Sequence, residues 1–130
     1  MKEALWLDRQ DLVALHEKLL ALHGGGTGIR DLSLLESALA RPQQHLSYSE
    51  FSDILDLAAA YTTGIVHNHP LVDGNKRVGF VAGVLFLELN GWRFTATEEE
   101  AAAAVLALAA GTLNDEGYTK FLRAQSSPTG

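Results

Sequence analysis

Apolar residues recur at helical steps through most of this chain. Leu12, Leu15, Leu19 and Leu22 follow Asp8 at three- and four-residue spacing, which predicts a helix capped by Asp8 and ended by Gly24-Gly25-Gly26. Asp31 introduces a short second helix, residues 32 to about 40, with Leu32, Leu35 and Leu39 as its stripe and Pro42 as its stop. Residues 43–49 are mainly polar and read as a surface loop. A third helix is expected from about 52 to 66, facing inward with Ile54, Leu55, Ala58, Tyr61 and Ile65. The run 78–89 carries one charge, Glu88, and a helix apolar on nearly every side belongs in the interior. Asn90-Gly91 ends it, and residues 92–95 alternate briefly as a short extended piece. Thr97 and Glu100 form a capping box ahead of an alanine-rich helix, 101–110, which Gly111 ends. A last amphipathic helix starts near Asn114 with Tyr118, Phe121 and Leu122, and residues 126–130 are expected to fray. The pattern predicts an all-α fold of five to seven helices, one of them buried by the others. It is read as a single domain over 1–130 with its core at about 6–124.

Composition narrows the function classes. A hydrophobic fraction of 47% is ample for a core, and a formal charge of −6 without any Lys/Arg run argues against direct nucleic-acid binding. Cysteine is absent, which excludes disulfides and thiolate metal sites and suits a reducing compartment. The first residues lack the apolar stretch of a signal peptide, and the longest apolar run falls short of the ~20 residues that span a bilayer. The expectation is a cytoplasmic protein with no membrane partner.

One stretch concentrates chemistry: His67-Asn68-His69-Pro70-Leu71-Val72-Asp73-Gly74-Asn75-Lys76-Arg77. It stands at the N-terminal end of the expected core helix, where unpaired N–H groups and the helix dipole favour anions such as phosphate. Lys76 and Arg77 add positive charge, Asp73 can hold a hard cation such as magnesium, and His69 can move a proton near neutral pH. A zinc site from His67, His69 and Asp73 lacks a fourth ligand, and the adjacent cations and helix end would repel a dication. Phosphate binding with acid–base chemistry uses every residue of the stretch. Elsewhere the reading is plainer. His16 and His23 are expected to be structural. The glycine loop 24–28 fails as a phosphate loop, because no Lys-Ser/Thr pair follows and no strand precedes, and reads as a flexible turn.

The stretch from His69 to Arg77 resembles the signature of the Fic/Doc (Fido) superfamily, His-Pro-Phe-x-Asp/Glu-Gly-Asn-Gly/Lys-Arg. The flanking Gly24-to-Asp31 and Leu35-Glu-Ser-Ala-Leu39 segments, and Leu87-Glu-Leu-Asn-Gly91 beyond the core helix, are similar to the death-on-curing (Doc) type. The resemblance implies a compact helical domain with a buried central helix following the signature loop, acting with ATP and magnesium on a protein hydroxyl. By position, it implies His69 as the catalytic base and Asp73 as the magnesium ligand. Gly74, Asn75, Lys76 and Arg77 would bind the nucleotide phosphates. Leu71 stands where Phe is usual and would anchor the loop.

Two departures from the adenylylating members, Lys76 in place of Gly and Phe80 in place of a second Arg, are shared with Doc. The resemblance thus implies a toxin of a toxin–antitoxin pair, a kinase that phosphorylates a translation factor such as elongation factor Tu and is silenced by a Phd-like antitoxin. An adenylyltransferase and a catalytically silent antitoxin-binding module are the alternatives. Thr112 to Gly117 matches the spelling of the Fic autoinhibitory helix, but Phe80 offers Glu116 no Arg partner, so Glu116 is expected to face solvent.

Overall fold

Six helices and one pair of short strands follow each other in the computed structural model, which describes residues 4–48 and 52–129. They are α1 (Arg9–His23), α2 (Leu32–Tyr48), α3 (Ile54–Asn68), α4 (Asn75–Leu89), β1 (Trp92–Phe94), α5 (Glu98–Ala110), α6 (Asp115–Ala124) and β2 (Ser126–Pro128). The helix starts follow local chemistry. Asp8 with Asp11, Asp53 with Asp56, and Thr97 with Glu100 each close a reciprocal capping box, and Asn114 caps α6 by accepting from Gly117 N–H. Gly111 ends α5 in the left-handed conformation, φ 82°.

The expected stop at Pro42 is overturned: α2 runs through it to Tyr48, and residues 43–48 are helix, not loop. Ser49 lies outside the described residues. A proline removes its own N–H and crowds the carbonyl four residues back, here that of Ala38. Against this stretch of α2 stands Gly64 of α3, where a Cβ would lie only 3.3 Å from the Ala38 oxygen. With no side chain there, α3 packs directly against the backbone of α2 at Ala38. Just before the proline, Arg41 is anchored to Asp115 of α6, and beyond it Leu46 packs against the core.

The centre is a pair of helices, α3 and α4. Every residue of α3 from 57 to 66 is buried, as is Leu55, so the helix before the signature loop is even more enclosed than the one after it. Close approach of the pair depends on Gly79 and Gly83 of α4, which face Ile65, Val66, Ala58 and Thr62 of α3. Thr62 Oγ1 donates to Gly79 O at 2.7 Å. Leu12, Leu35, Leu108, Tyr118 and Leu122 surround the pair from the other helices.

The expected frayed tail is also corrected. Residues 126–128 pair antiparallel with β1, Trp92 opposite Pro128 and Phe94 opposite Ser126. Main-chain bonds Thr95 N–H to Gln125 O and Thr129 N–H to Gly91 O bracket the pair. The pairing is held by backbone groups, so the polar sequence 126–129 carries no hydrophobic sign of it. Gly130 lies outside the described residues.

Candidate functional site

The connection between α3 and α4 is short, residues 69–74, and the close packing of those two helices fixes both of its ends. His69 caps α3 in the left-handed conformation, φ 52° and ψ 52°, and among the described residues it is the one non-glycine with positive φ. Such a residue is costly for any side chain, and the following Pro70 disfavours helical ψ values as well. The His69 ring is exposed. Its backbone is held on three sides: His69 N–H donates to Ile65 O at 3.0 Å, and Arg30 Nε donates to His69 O at 2.7 Å. Pro70 O accepts from the N–H groups of both Arg30 and Asp31.

Leu71 is buried and forms a single antiparallel bridge with Ile29. This is the expected anchoring role. Asn75 completes it: buried, its amide oxygen accepts from Leu71 N–H at 2.9 Å and its amide NH₂ donates to Leu71 O at 3.0 Å. The Asn75 side chain is therefore spent on holding the loop, and what it offers a phosphate is its main-chain N–H.

Asp73 is exposed and its carboxylate is already oriented. Oδ2 accepts from Gly26 N–H at 3.2 Å and Oδ1 from Gly74 N–H at 2.8 Å. These two donors, Gly26 first, hold the carboxyl below its ordinary pKa, with smaller help from Arg77 and His16. Gly74 then opens α4 in the left-handed conformation, φ 82°, with no side-chain cap. The other helices with a defined cap residue begin under a side chain, so α4 alone among those leaves its first N–H groups to a ligand. Lys76 and Arg77, both exposed, stand in that first turn without a carboxylate within ion-pair reach among the described residues.

Beside this turn lies an open cleft of about 680 Å³ lined by Lys76, Arg77, Phe80, Phe94, Thr97 and Leu106, among others. Phe80 and Phe94 meet edge to face at 5.6 Å and give it an apolar wall. A second cleft of about 420 Å³ lies between α2, α3 and α6. Its cations Arg41, Lys120 and Arg123 are already paired with Asp115, Glu116 and Asp53, which leaves little charge for an anion. Glu116 sits there, exposed and paired with Lys120, as expected for a solvent-facing residue.

Two parts of the site escaped sequence reading. The glycine loop is not a free turn: Gly26 donates to Asp73, and a Cβ on Gly25 would stand 2.8 Å from Asp73 Oδ2. The density of glycines facing an acidic signature was the available signal. His16 is buried, and its Nε2 lies 3.2 Å from Asp73 O, within hydrogen-bond reach, so it supports the loop from beneath. His67 turns the other way, with Nδ1 3.9 Å from Asp115 Oδ1 of α6, and does not join His69. No group of three His, Asp or Glu side chains suited to a metal occurs among the described residues. A lone Asp does fit magnesium that arrives with a nucleotide, since that ion keeps its waters and is shared between one or two carboxylates and phosphate oxygens.

Comparison with known proteins identifies the family. The profile of the Fic/DOC family matches residues 6–87. The chain is 32% identical to the protein kinase doc of Escherichia phage P1 over 82 residues, which is 63% of this chain and 65% of that protein. It is 37% identical to the toxin Doc of Mycolicibacterium smegmatis over 92 residues, 70% of this chain and 68% of that one. The alignment thus spans just under two thirds of the phage relative's length. No helix of the described residues is long and apolar enough to cross a membrane.

Proposed function

This chain belongs to the Fic/Doc family, and from that premise we propose that it is a Doc-type toxin enzyme that moves the γ-phosphate of ATP to a Ser or Thr hydroxyl of a translation factor. The observation that carries the reading is the spacing of three functions on one short loop. An exposed imidazole at His69, an oriented carboxylate at Asp73 and an uncapped helix start with two cations that have no ion-pair partner among the described residues lie within nine residues. The phage P1 relative is itself named a protein kinase.

In this reading the His69 ring takes the proton of the target hydroxyl as its oxygen bonds to the γ-phosphorus. The bond from that phosphorus to the β–γ bridging oxygen breaks, and ADP leaves. Asp73 would hold magnesium, which would supply charge neutralisation to the phosphates. The first N–H groups of α4 with Lys76 and Arg77 hold the phosphates, and Gly74 lets the backbone approach them without a side chain in the way. Phosphoryl transfer demands positioning more than covalent chemistry, and a loop tied down by Asn75, His16 and Gly26 suits that demand. Elongation factor Tu is the expected target, a Phd-like antitoxin the expected inhibitor, and the cytoplasm the expected location.

Label transfer tests it. Purified protein, magnesium and a bacterial lysate should move label from γ-labelled and not α-labelled ATP onto one protein near the size of elongation factor Tu. Label from the α position would replace the kinase with an adenylyltransferase. Label from neither, together with no ATP binding, would favour a silent antitoxin-binding module.

A further inference from the structure

We propose that Arg30 is a positioning residue for His69, an inference that rests on reading His69 as the base. His69 combines two backbone conditions that the chain does not adopt unaided: a positive φ on a non-glycine residue, and a ψ of 52° directly before proline. Residues held in such regions persist where their surroundings over-determine them. The neighbour that does so through a side chain is Arg30. Its Nε donates to His69 O at 2.7 Å and its Nη2 to Asn68 O at 3.1 Å. The planar guanidinium thus bridges the last carbonyls of α3, the end where the helix dipole favours a cation. Asn68 is fixed from the other side, its amide donating to Leu34 O at 2.9 Å.

The direction of the His69 carbonyl and the direction of its side chain are two consequences of one φ/ψ pair. Fixing the carbonyl therefore fixes the Cα–Cβ bond from which the imidazole projects, and with it the set of rotamers the ring can take. Arg30 is itself exposed, so removing its side chain opens no cavity. Its main-chain N–H bond to Pro70 O survives any substitution except proline. The side chain is thus poorly placed to matter for folding and well placed to matter for the ring. Lysine cannot replace it, because a single ammonium does not reproduce a fork that spans two carbonyls.

The test compares wild type, Arg30→Ala and Arg30→Lys in three measurements: transfer kinetics with whichever label the wild type moves, histidine ring resonances without nucleotide, and thermal midpoint. For Arg30→Ala we expect kcat to fall by about ten- to a hundredfold, the loss typical of a misplaced group, with KM for ATP little changed. Arg30→Lys should recover only part of this. The His69 ring resonances should move while those of His23 and His45 stay, with the midpoint within roughly 3 °C of wild type. Unchanged kcat with unchanged His69 resonances would overturn the proposal. So would resonance changes at all the histidines with a collapsed midpoint, which would mark a general structural role. If the wild type moves no label, the phosphotransfer reading falls separately. The His69 resonances then decide on Arg30 by themselves, and their staying put would overturn its role.

Discussion

Asn75 spends both ends of its amide on Leu71, and this sets how the loop residues divide their work. The side chains that look similar in the sequence fall into two groups in the structure. Asn75 and Leu71 are buried and hold the loop, whereas His69, Asp73, Lys76 and Arg77 are exposed. The sequence could reveal which residue types were present but not this division, because an amide serves phosphate or backbone equally well until its neighbours are known. Histidine poses the same problem. His67 and His69 are two residues apart, yet one lies on the last turn of α3 toward α6 and the other beyond it in a left-handed cap. A base typically contributes ~10²–10⁴-fold to rate. His69→Ala should therefore abolish measurable transfer and relieve growth arrest on expression, with the fold intact by circular dichroism. His67→Ala should lose only its weak contact with Asp115 and remain active. Equal arrest by wild type and His69→Ala would remove His69 from the chemistry.

At the scale of elements, α3 is gripped on two sides by glycine. Gly64 admits α2 at Ala38, and Gly79 and Gly83 admit α4. These approaches set the position of α4's first turn relative to the end of α3, and hence the shape of the loop between them. A Cβ on Gly83 would lie 2.3 Å from Thr62 Oγ1 and 3.1 Å from Ala58 O, so one contact is with a side-chain atom and the other with backbone. Gly83→Ala should destabilise by about 1–3 kcal/mol, the usual cost of overpacking. Thr62→Ala in the same chain should recover part of that, since it removes the nearer atom and leaves the backbone contact. Urea unfolding of the two single variants and the double variant measures the coupling. Strict additivity would mean that the strain is relieved elsewhere.

The helices that the sequence predicted well are those whose caps and stripes are local, such as α1, α5 and α6. It misjudged α2 at Pro42 and the tail at β2, where the partners are distant in the chain: Asp115 of α6 beside Arg41, with the core around Leu46, for the first and β1 for the second. The prominence of α4 as a core helix was legible from its composition. The deeper burial of α3 was not, because Thr62 and Thr63 interrupt its apolar pattern although both are buried.

Over the whole molecule, charge decides how a nucleotide can be met. The chain carries a formal −6, so its long-range field would repel ATP, while in the proposed site Lys76, Arg77 and the uncapped start of α4 would attract it at contact. The two effects have different ranges. At 0.1 M salt the screening length is about 10 Å, which suppresses repulsion from carboxylates across the domain but not an attraction acting over a few ångströms. Further salt then weakens mainly the contact term, whose range is reached as the screening length falls to about 3 Å near 1 M. Magnesium–ATP should therefore raise the thermal midpoint, and the shift should rise slightly with salt up to roughly 0.1 M and decline above it. At a hundredfold excess over Kd, binding stabilises by about 2.7 kcal/mol, which for a domain of this size is on the order of 10 °C. Arg77→Ala should reduce the shift at fixed nucleotide, and His69→Ala should preserve it, because His69 is assigned to the hydroxyl and not to the phosphates. A midpoint that ignores millimolar magnesium–ATP in the intact protein would count against a nucleotide site at α4. A shift that survives 1 M salt and Arg77→Ala unchanged would move the binding energy to the apolar wall of Phe80 and Phe94.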